Sequence, residues 1–421
     1  MRYKVKISSI LFSMLIMSIF FCKNSSLFGI YTFSLELILA FLMLLINGMR
    51  FPLPRRKKHL WICTCVICYL VPYIVHGNLK PVLFNVLPPI IIITGIVFLI
   101  KNEIRFDSAL HIIVYVIVIL SGLSILETFT SINIWDLITN TKIEYVAANG
   151  YRFGLVRARG PFETSINNGM FLVLGQGILL YILSGDKNKK GFYRFAYILD
   201  FLANLLVMSR ATIIASLVLP LVLSLKSGIR KVPGIILKML AIVGAVYAFS
   251  YIFNIVTIHS FIGNIANSIR ALTNSVYVDY EANVGGIGHR LQLFKWVYDA
   301  VSNHRLFGLG EYGAFQVRVT ANYLKTSIEN FYLYQFFRYG FVGLVCVIAM
   351  LITFMIRAIV YDKEAIGRLG KNKDKLTFPG MVVCVSVIYL LLNFTCAGQN
   401  DMLLYYVIIG MTLAYSNAFL H

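Results

Sequence analysis

The chain has 421 residues, of which 59% are hydrophobic and only 13% are charged. This composition excludes an ordinary soluble globular protein and indicates a chain that crosses a membrane many times. The net charge of +20 does not indicate a nucleic-acid-binding protein, because most basic residues fall in short loops between apolar runs, as cytoplasmic loops of membrane proteins do. No nucleic-acid partner is predicted.

Apolar runs long enough to cross the ~30 Å hydrocarbon core of a bilayer recur along the whole chain. They predict an all-α polytopic membrane protein with a single integral membrane domain, residues 1–421. We expect about twelve transmembrane helices. They lie near 7–22, 28–47, 60–75, 82–100, 109–128, 168–183, 195–208, 211–225, 233–253, 330–356, 378–394 and 400–416.

Basic residues divide the loops into two sets. One side of the predicted membrane domain holds 24 of the 38 Lys and Arg residues together with both termini, and this excess predicts that the side is cytoplasmic. The other 14 basic residues lie outside, and nine of them are Arg. Since a planar guanidinium binds phosphate or carboxylate oxygens in pairs, Arg enrichment at the outer face predicts recognition of an anionic group there.

Two outer loops are long, residues 129–167 and residues 254–329. Within the second, apolar residues recur every three or four positions from His289 to Asn303, which predicts an amphipathic helix. The residues expected on its apolar face are Leu291, Phe294, Val297, Tyr298 and Val301. Glycines precede and follow this segment. The helix is therefore either a hinged lid or an ordinary packed loop helix.

The first candidate site lies where the first long loop enters a predicted span. Arg157 and Arg159 precede a Gly-Pro pair, and Glu163 and Asn167 follow it. Backbone N–H groups and the dipole at a helix N-terminus would add to the charge of the two arginines. We expect an anion receptor; the alternative is a solvated basic loop that contacts anionic lipid headgroups.

Two further arginines lie close to predicted spans. Arg210 falls in a very short outer loop, and Arg338 is predicted to lie a turn or two inside the span at 330–356. Ionisable residues at such depth usually face a partner or a water-filled cavity. The alternative is a side chain that extends to the headgroups.

Glu329 lies at the predicted start of the same span, where the helix dipole stabilises a carboxylate. It could take a proton from a hydroxyl group, or it could simply cap the helix. Asn330 and Tyr332 lie beside it, and His289 and Arg290 open the predicted amphipathic helix. The His, Cys and acidic residues do not show metal-ligand spacing, so neither a metal nor another cofactor is predicted.

In this order, the segments resemble the O-antigen ligase and Wzy-type polysaccharide polymerase superfamily over about residues 150–345. The similar pieces are 159–162 with 167–169, 209–210, 290–296 with 307–310, and 329–333 followed by 338–340. The resemblance implies a GT-C-like helical fold and a metal-independent glycosyltransferase. It also implies undecaprenyl-pyrophosphate-linked oligosaccharide as donor and acceptor, at the periplasmic face of the bacterial inner membrane.

Roles for the candidate residues follow from this resemblance. Arg210 and Arg290 would stabilise the leaving pyrophosphate, and Glu329 would deprotonate the acceptor hydroxyl, with inversion at the anomeric carbon. Pyrophosphate and glycan would bind to the other candidates. These are Arg157, Arg159, Arg338, His289, Asn330, Tyr332, Glu163 and Asn167.

Ligases of this superfamily typically carry His-Asn where this chain has Glu329-Asn330, and the difference favours a polymerase. The alternatives are an O-antigen ligase that transfers glycan to lipid A core, and a flippase for lipid-linked oligosaccharides. The expected surroundings are the lipid bilayer, and a chain-length regulator is a candidate protein partner.

Overall fold

The computed structural model describes the chain in separate stretches, mainly from residue 105 onwards. They are 105–139, 155–162, 164–185, 190–227, 287–310, 313–320, 323–369, 376–394 and 403–419, with the shorter pieces 10–16, 26–27, 30–31, 71, 74–75, 93, 96, 100, 151–152, 234, 237 and 244. Five predicted spans, those at 7–22, 28–47, 60–75, 82–100 and 233–253, lie largely outside these residues. The total of twelve spans therefore stays a prediction.

Helices dominate the described part of the chain, which contains nine that we number in order. They are α1 Phe106–Thr130, α2 Ile134–Thr139, α3 Ser165–Ser184, α4 Lys190–Leu206, α5 Arg210–Ser227, α6 Ile287–Ala300, α7 Phe331–Leu369, α8 Phe378–Leu392 and α9 Leu403–Phe419.

Within the residues that the structure describes, short strands form three antiparallel pairs. They are β1 Ser26–Leu27 with β2 Ile30–Tyr31, β3 Tyr151–Arg152 with β4 Leu155–Val156, and β5 Val317–Thr320 with β6 Tyr323–Lys325.

Seven of the helices coincide with predicted spans. Helices α1, α3 and α7 are long and apolar enough to cross a membrane, and α5, α8 and α9 contain shorter apolar segments. Along α1, large apolar side chains at Tyr115, Ile119, Leu126 and Phe129 are exposed. Since they recur on one face of the helix, they form a stripe suited to contact with lipid, and the described fold is that of an all-α membrane protein.

One end of the helix bundle is held by an ion pair. The Lys226 ammonium, at the end of α5, lies 2.5 Å from the carboxylate of Asp362 in α7. Thr377, which caps the start of α8, donates to the same carboxylate. The final turns of α5 and α7 therefore meet the first turn of α8, and we call this the Lys226 end.

The opposite end of the bundle holds the starts of α3, α5 and α7. The N–H of Phe331 donates to the carbonyl of Asn393 at 2.9 Å, which joins the start of α7 to the end of α8. Helix α3 also runs antiparallel to α8, because the Tyr181 ring near its end packs 5.4 Å from that of Phe378. We call this opposite end the Arg159 end, because the loop that contains Arg159 is hydrogen-bonded to Asn168 near the start of α3.

Helix α7 is broken at Gly340, which has φ 63° and ψ −160°. In a continuous helix the carbonyls of Phe337 and Arg338 would accept from N–H groups four residues ahead. Here they accept instead from a loop that follows α6. Leu309 N–H donates to the Phe337 carbonyl at 2.9 Å, and Gly310 N–H donates to the Arg338 carbonyl at 2.8 Å.

The same loop also supplies the missing acceptors. Phe341 N–H donates to the Arg305 carbonyl at 2.8 Å, and Val342 N–H donates to the Leu306 carbonyl at 3.1 Å. Four backbone groups released by the break are therefore paired with four groups of the loop, as a buried or membrane-embedded helix requires.

Helix α7 contributes to two hydrophobic cores. Leu333, Phe336 and Phe337, just before the break, pack with residues of α6 in a small core, whereas Phe331 and the buried residues from Val347 onwards pack with the main bundle. From residue 341 to Asp362 the helix rises about 30 Å, enough to cross the hydrocarbon core. The segment after Gly340 is therefore long enough by itself to cross the membrane, and Arg338 lies two residues before the break.

The predicted amphipathic helix is present as α6, but its buried face differs from the predicted one. Leu293, Val297 and Val301 are buried. Phe294 and Tyr298, expected on the same apolar face, are exposed. The face is selected by the broken segment of α7, against which α6 packs.

Close packing between α3 and α8 gives a first prediction. A Cβ atom at Gly177 would lie 2.4 Å from Cγ2 of Val385, so Gly177→Ala should destabilise the protein by about 1–3 kcal/mol through overpacking. We expect a lower apparent melting temperature in detergent, partly restored by Val385→Ala. Gly122→Ala in α1, where a Cβ would meet open space, is the matched control; equal effects of the two glycine substitutions would contradict the packing argument.

The break in α7 gives a second prediction. Gly340→Ala should be strained by about 1–3 kcal/mol at this φ and ψ, and its Cβ would lie 2.4 Å from the backbone carbon of Leu306. We expect the loop to detach and trypsin to cleave faster after Arg305. Gly367→Ala, also in α7 but facing open space, should leave the cleavage rate unchanged. Unchanged cleavage in Gly340→Ala would show that the loop is held by other contacts.

Candidate functional site

The Arg159 loop, residues 157–162, is held by a buried carboxylate from the last turns of α1. Glu127 is 2% exposed. One of its oxygens accepts from the N–H of Gly160 at 2.8 Å, and the other accepts from the N–H of Arg159 at 3.3 Å. Gly160 has φ 55°, a left-handed conformation that suits glycine. The carboxylate thus holds the turn at its tightest point.

Asn133, just before α2, holds the same turn from a second direction. Its Nδ2 donates to Oε1 of Glu127 at 2.9 Å and to the carbonyl of Gly160 at 2.8 Å. Its Oδ1 accepts from the backbone N–H groups of Trp135 and Asp136, at 2.9 and 3.2 Å. One amide side chain therefore both fixes the loop and caps the short helix α2.

The Arg159 guanidinium is buried and ion-paired. It forms a salt bridge with Asp136 in α2 and donates to the carbonyl of Phe162 at 3.1 Å. The arginine side chain is 7% exposed, whereas that of Asp136 is 20% exposed. The guanidinium is therefore less accessible to solvent than the carboxylate with which it pairs.

The start of α3 completes the support of the loop. Asn168 is fully buried, and its Nδ2 donates to the carbonyl of Ala158 at 3.2 Å and to the hydroxyl of Ser124 at 3.0 Å. Thr164 caps the helix by accepting from the N–H of Asn167 at 3.3 Å. Asn167, predicted to contact substrate, is buried in the first turn of α3.

The Arg159 loop also reaches the start of α5. Nε of Arg157 donates to the carbonyl of Val207 at 3.5 Å. A Cβ atom at Gly169 would lie 2.5 Å from the Thr212 hydroxyl oxygen, so the first turns of α3 and α5 are in close contact. Arg210 is the first residue of α5, and its side chain lies outside the described part. Two helix N-termini and three arginine positions therefore lie together, which favours binding of an anion.

Glu329 lies two residues before α7 and is exposed. The side chain that caps α7 is the neighbouring Asn330, whose Oδ1 accepts from the N–H of Leu333 at 3.0 Å. Nδ2 of Asn330 donates to the carbonyl of Phe394 at 3.3 Å, and the Tyr332 hydroxyl donates to the carbonyl of Leu390 at 2.9 Å. Asn330 and Tyr332 thus attach the start of α7 to the end of α8 and present Glu329 beside that contact.

Arg338 joins α7 to the loop after α6. Its Nη1 donates to the carbonyl of Gly310 at 3.1 Å, and its guanidinium carbon lies 5.3 Å from the centre of the Tyr334 ring. The backbone of His289 and Arg290 forms part of the first turn of α6, and both side chains lie outside the described part. Glu163 lies outside it entirely.

The structure therefore brings the predicted residues into two groups at the Arg159 end. Arg157, Arg159 and Arg210 belong to the group around α3 and α5, and Glu329 belongs to the group around α7 and α8. Three residues around the Arg159 loop were not found from the sequence. They are Glu127, Asn133 and Asp136. The sequence signal that could have indicated them is Glu127, a single acidic residue near the end of an apolar run, with polar residues after it.

Metal-binding side chains do not cluster in the described residues, since no group of three or more His, Cys, Asp or Glu there could hold a metal ion.

Comparison with protein families gives a match to the O-antigen ligase family over residues 195–348. The matched segment includes Arg210, Arg290, Glu329 and Arg338, and it leaves out the Arg159 loop. A search of curated proteins finds no match. Residues 195–348 are therefore similar to the O-antigen ligase family, and this match confirms the resemblance of the chain to the O-antigen ligase and Wzy superfamily.

Proposed function

We propose that the protein is a Wzy-type polysaccharide polymerase. It joins undecaprenyl-pyrophosphate-linked oligosaccharide repeat units at the periplasmic face of the bacterial inner membrane, without a metal. One observation carries the proposal. The same end of a membrane helix bundle holds arginines and helix N-termini that suit a pyrophosphate, together with an exposed carboxylate. Part of this bundle matches the O-antigen ligase family.

Orientation of the bundle follows from charge. The residues at the Lys226 end include Lys and Arg in excess, among them Lys363 and Arg368 in the last two turns of α7. The positive-inside rule places such residues in the cytoplasm. The Arg159 end then faces the periplasm, where the lipid-linked glycan would be used.

Stabilisation of the leaving group is assigned to the arginines. As the bond from the anomeric carbon to the pyrophosphate oxygen breaks, negative charge accumulates on the departing undecaprenyl pyrophosphate. Arg210 and Arg290 neutralise it, with Arg157 and Arg159 beside the N-termini of α3 and α5. Preorganised positive groups in a site shielded from water are often the largest contribution to catalysis.

The base is assigned to Glu329. Its carboxylate takes the proton of an acceptor hydroxyl as that oxygen bonds to the anomeric carbon, on the side opposite the leaving group. The anomeric configuration is therefore inverted. Exposure of Glu329 and capping of α7 by Asn330 support this role over the alternative that Glu329 is the helix cap.

A ligase is the second candidate function, because the matched family is described as O-antigen ligase. A ligase would use the same donor chemistry and differ in its acceptor, which would be lipid A core instead of a second lipid-linked glycan. Glu329-Asn330, in place of the His-Asn pair typical of ligases, favours the polymerase.

Removal of the base gives the third prediction. Glu329→Gln keeps the size of the side chain but cannot accept the proton, so we expect polymer formation to fall by about 100-fold or more, measured with purified protein and lipid-linked repeat units. Glu364→Gln changes an exposed acid within α7, far from the Arg159 end, and should keep wild-type activity. Full activity of Glu329→Gln would exclude this residue as the base.

Choice of acceptor gives the fourth prediction. Purified protein given only lipid-linked repeat units in the presence of EDTA should produce a ladder of polymer, because the mechanism uses arginines where other enzymes use a metal. Addition of lipid A core should leave the ladder unchanged. A product that forms only when lipid A core is present would identify a ligase, and activity abolished by EDTA would contradict the metal-independent mechanism.

A further inference from the structure

We infer that Glu127 is a positioning residue that sets the conformation of Arg159. The inference rests on the proposed function, in which Arg159 contributes to binding of the donor pyrophosphate. Glu127 lies in α1, outside the segment that matches the family, and it acts on Arg159 by two separate routes.

The first route runs through the backbone. The two carboxylate oxygens of Glu127 accept from the N–H groups of Arg159 and Gly160, at 3.3 and 2.8 Å. Hydrogen bonds to an ionised acceptor are stronger than neutral ones. Because both donors belong to consecutive residues of a left-handed turn, the carboxylate fixes the direction in which the Arg159 side chain leaves the backbone.

The second route runs through the guanidinium. Oε1 of Glu127 accepts from Nδ2 of Asn133, and Oδ1 of Asn133 caps α2 at Trp135 and Asp136. Asp136 in turn forms the salt bridge with Arg159. Glu127 thereby orients Asn133, and Asn133 caps the first turn of α2. Helix α2 in turn positions the Asp136 carboxylate that pairs with the Arg159 guanidinium.

A carboxamide cannot replace this carboxylate. Glu127→Gln has nearly the same volume, but it offers one oxygen acceptor and one NH2 donor. The three donors that now converge on Glu127, from Asn133, Arg159 and Gly160, would compete for one oxygen, and one N–H would face the new NH2 group. We therefore expect Glu127→Gln to release the Arg159 turn while the helix bundle stays folded.

Kinetics of single and double variants test the inference. We expect Glu127→Gln and Arg159→Lys each to raise the KM for the lipid-linked repeat unit about tenfold. The KM of the double variant should not exceed the higher of the two single-variant values, because the effects of residues that act through one another are not additive. Asn133→Asp keeps the cap of α2 but loses the donors to Glu127 and Gly160, and should show the same rise in KM. It also provides the test if Glu127→Gln does not fold.

Asp362→Asn is the matched control, because Asp362 is likewise a buried carboxylate in a polar contact but lies at the Lys226 end. It should lower the melting temperature and leave the KM unchanged. A Glu127→Gln variant that behaves in the same way, or one whose effect multiplies with that of Arg159→Lys, would overturn the positioning role.

Proteolysis distinguishes failure of this inference from failure of the proposed function. Trypsin should cleave after Arg159 faster in Glu127→Gln than in the wild type, whether or not the substrate is the correct one. A wild-type protein that uses no lipid-linked glycan would refute the proposed function, and the cleavage rates would still test the turn. Equal cleavage rates in the two proteins would overturn the inference.

Discussion

Backbone groups near the membrane must find hydrogen-bond partners within the protein, and this constraint shapes both parts of the candidate site. At the Arg159 loop, the polar groups of a left-handed turn are satisfied by Glu127 and Asn133. At the break in α7, four groups are satisfied by the loop that follows α6. In both places the backbone groups of an irregular segment that carries an arginine are paired within the protein, so these groups do not face lipid unpaired.

Arginine chemistry links these two places to the proposed reaction. Arg338 holds the loop at the break, since it donates to the Gly310 carbonyl, whereas Arg159 is held by Asp136. Both arginines thus organise the Arg159 end as well as contributing positive charge there.

Much of the fold could be predicted from the sequence because the bilayer imposes simple patterns. Spans at 109–128 and 168–183 agree with α1 and α3 within three residues at each end. The amphipathic helix was also predicted, but its buried face was not, because that face depends on the segment of α7 on which it packs. Gly340 breaks α7 within an apolar run, where hydropathy does not reveal the break.

The composition and loop charges of the sequence determined a polytopic helical membrane protein. The order of its motifs indicated the superfamily, which the match over residues 195–348 supports. These properties follow from local patterns of hydrophobicity, charge and spacing. The tertiary structure alone decided that Glu127 and Asn133 hold the Arg159 turn and that Asp136 pairs with the guanidinium. Those contacts join residues 23 to 33 positions apart, and no local pattern specifies which buried donor meets which acceptor across such a distance.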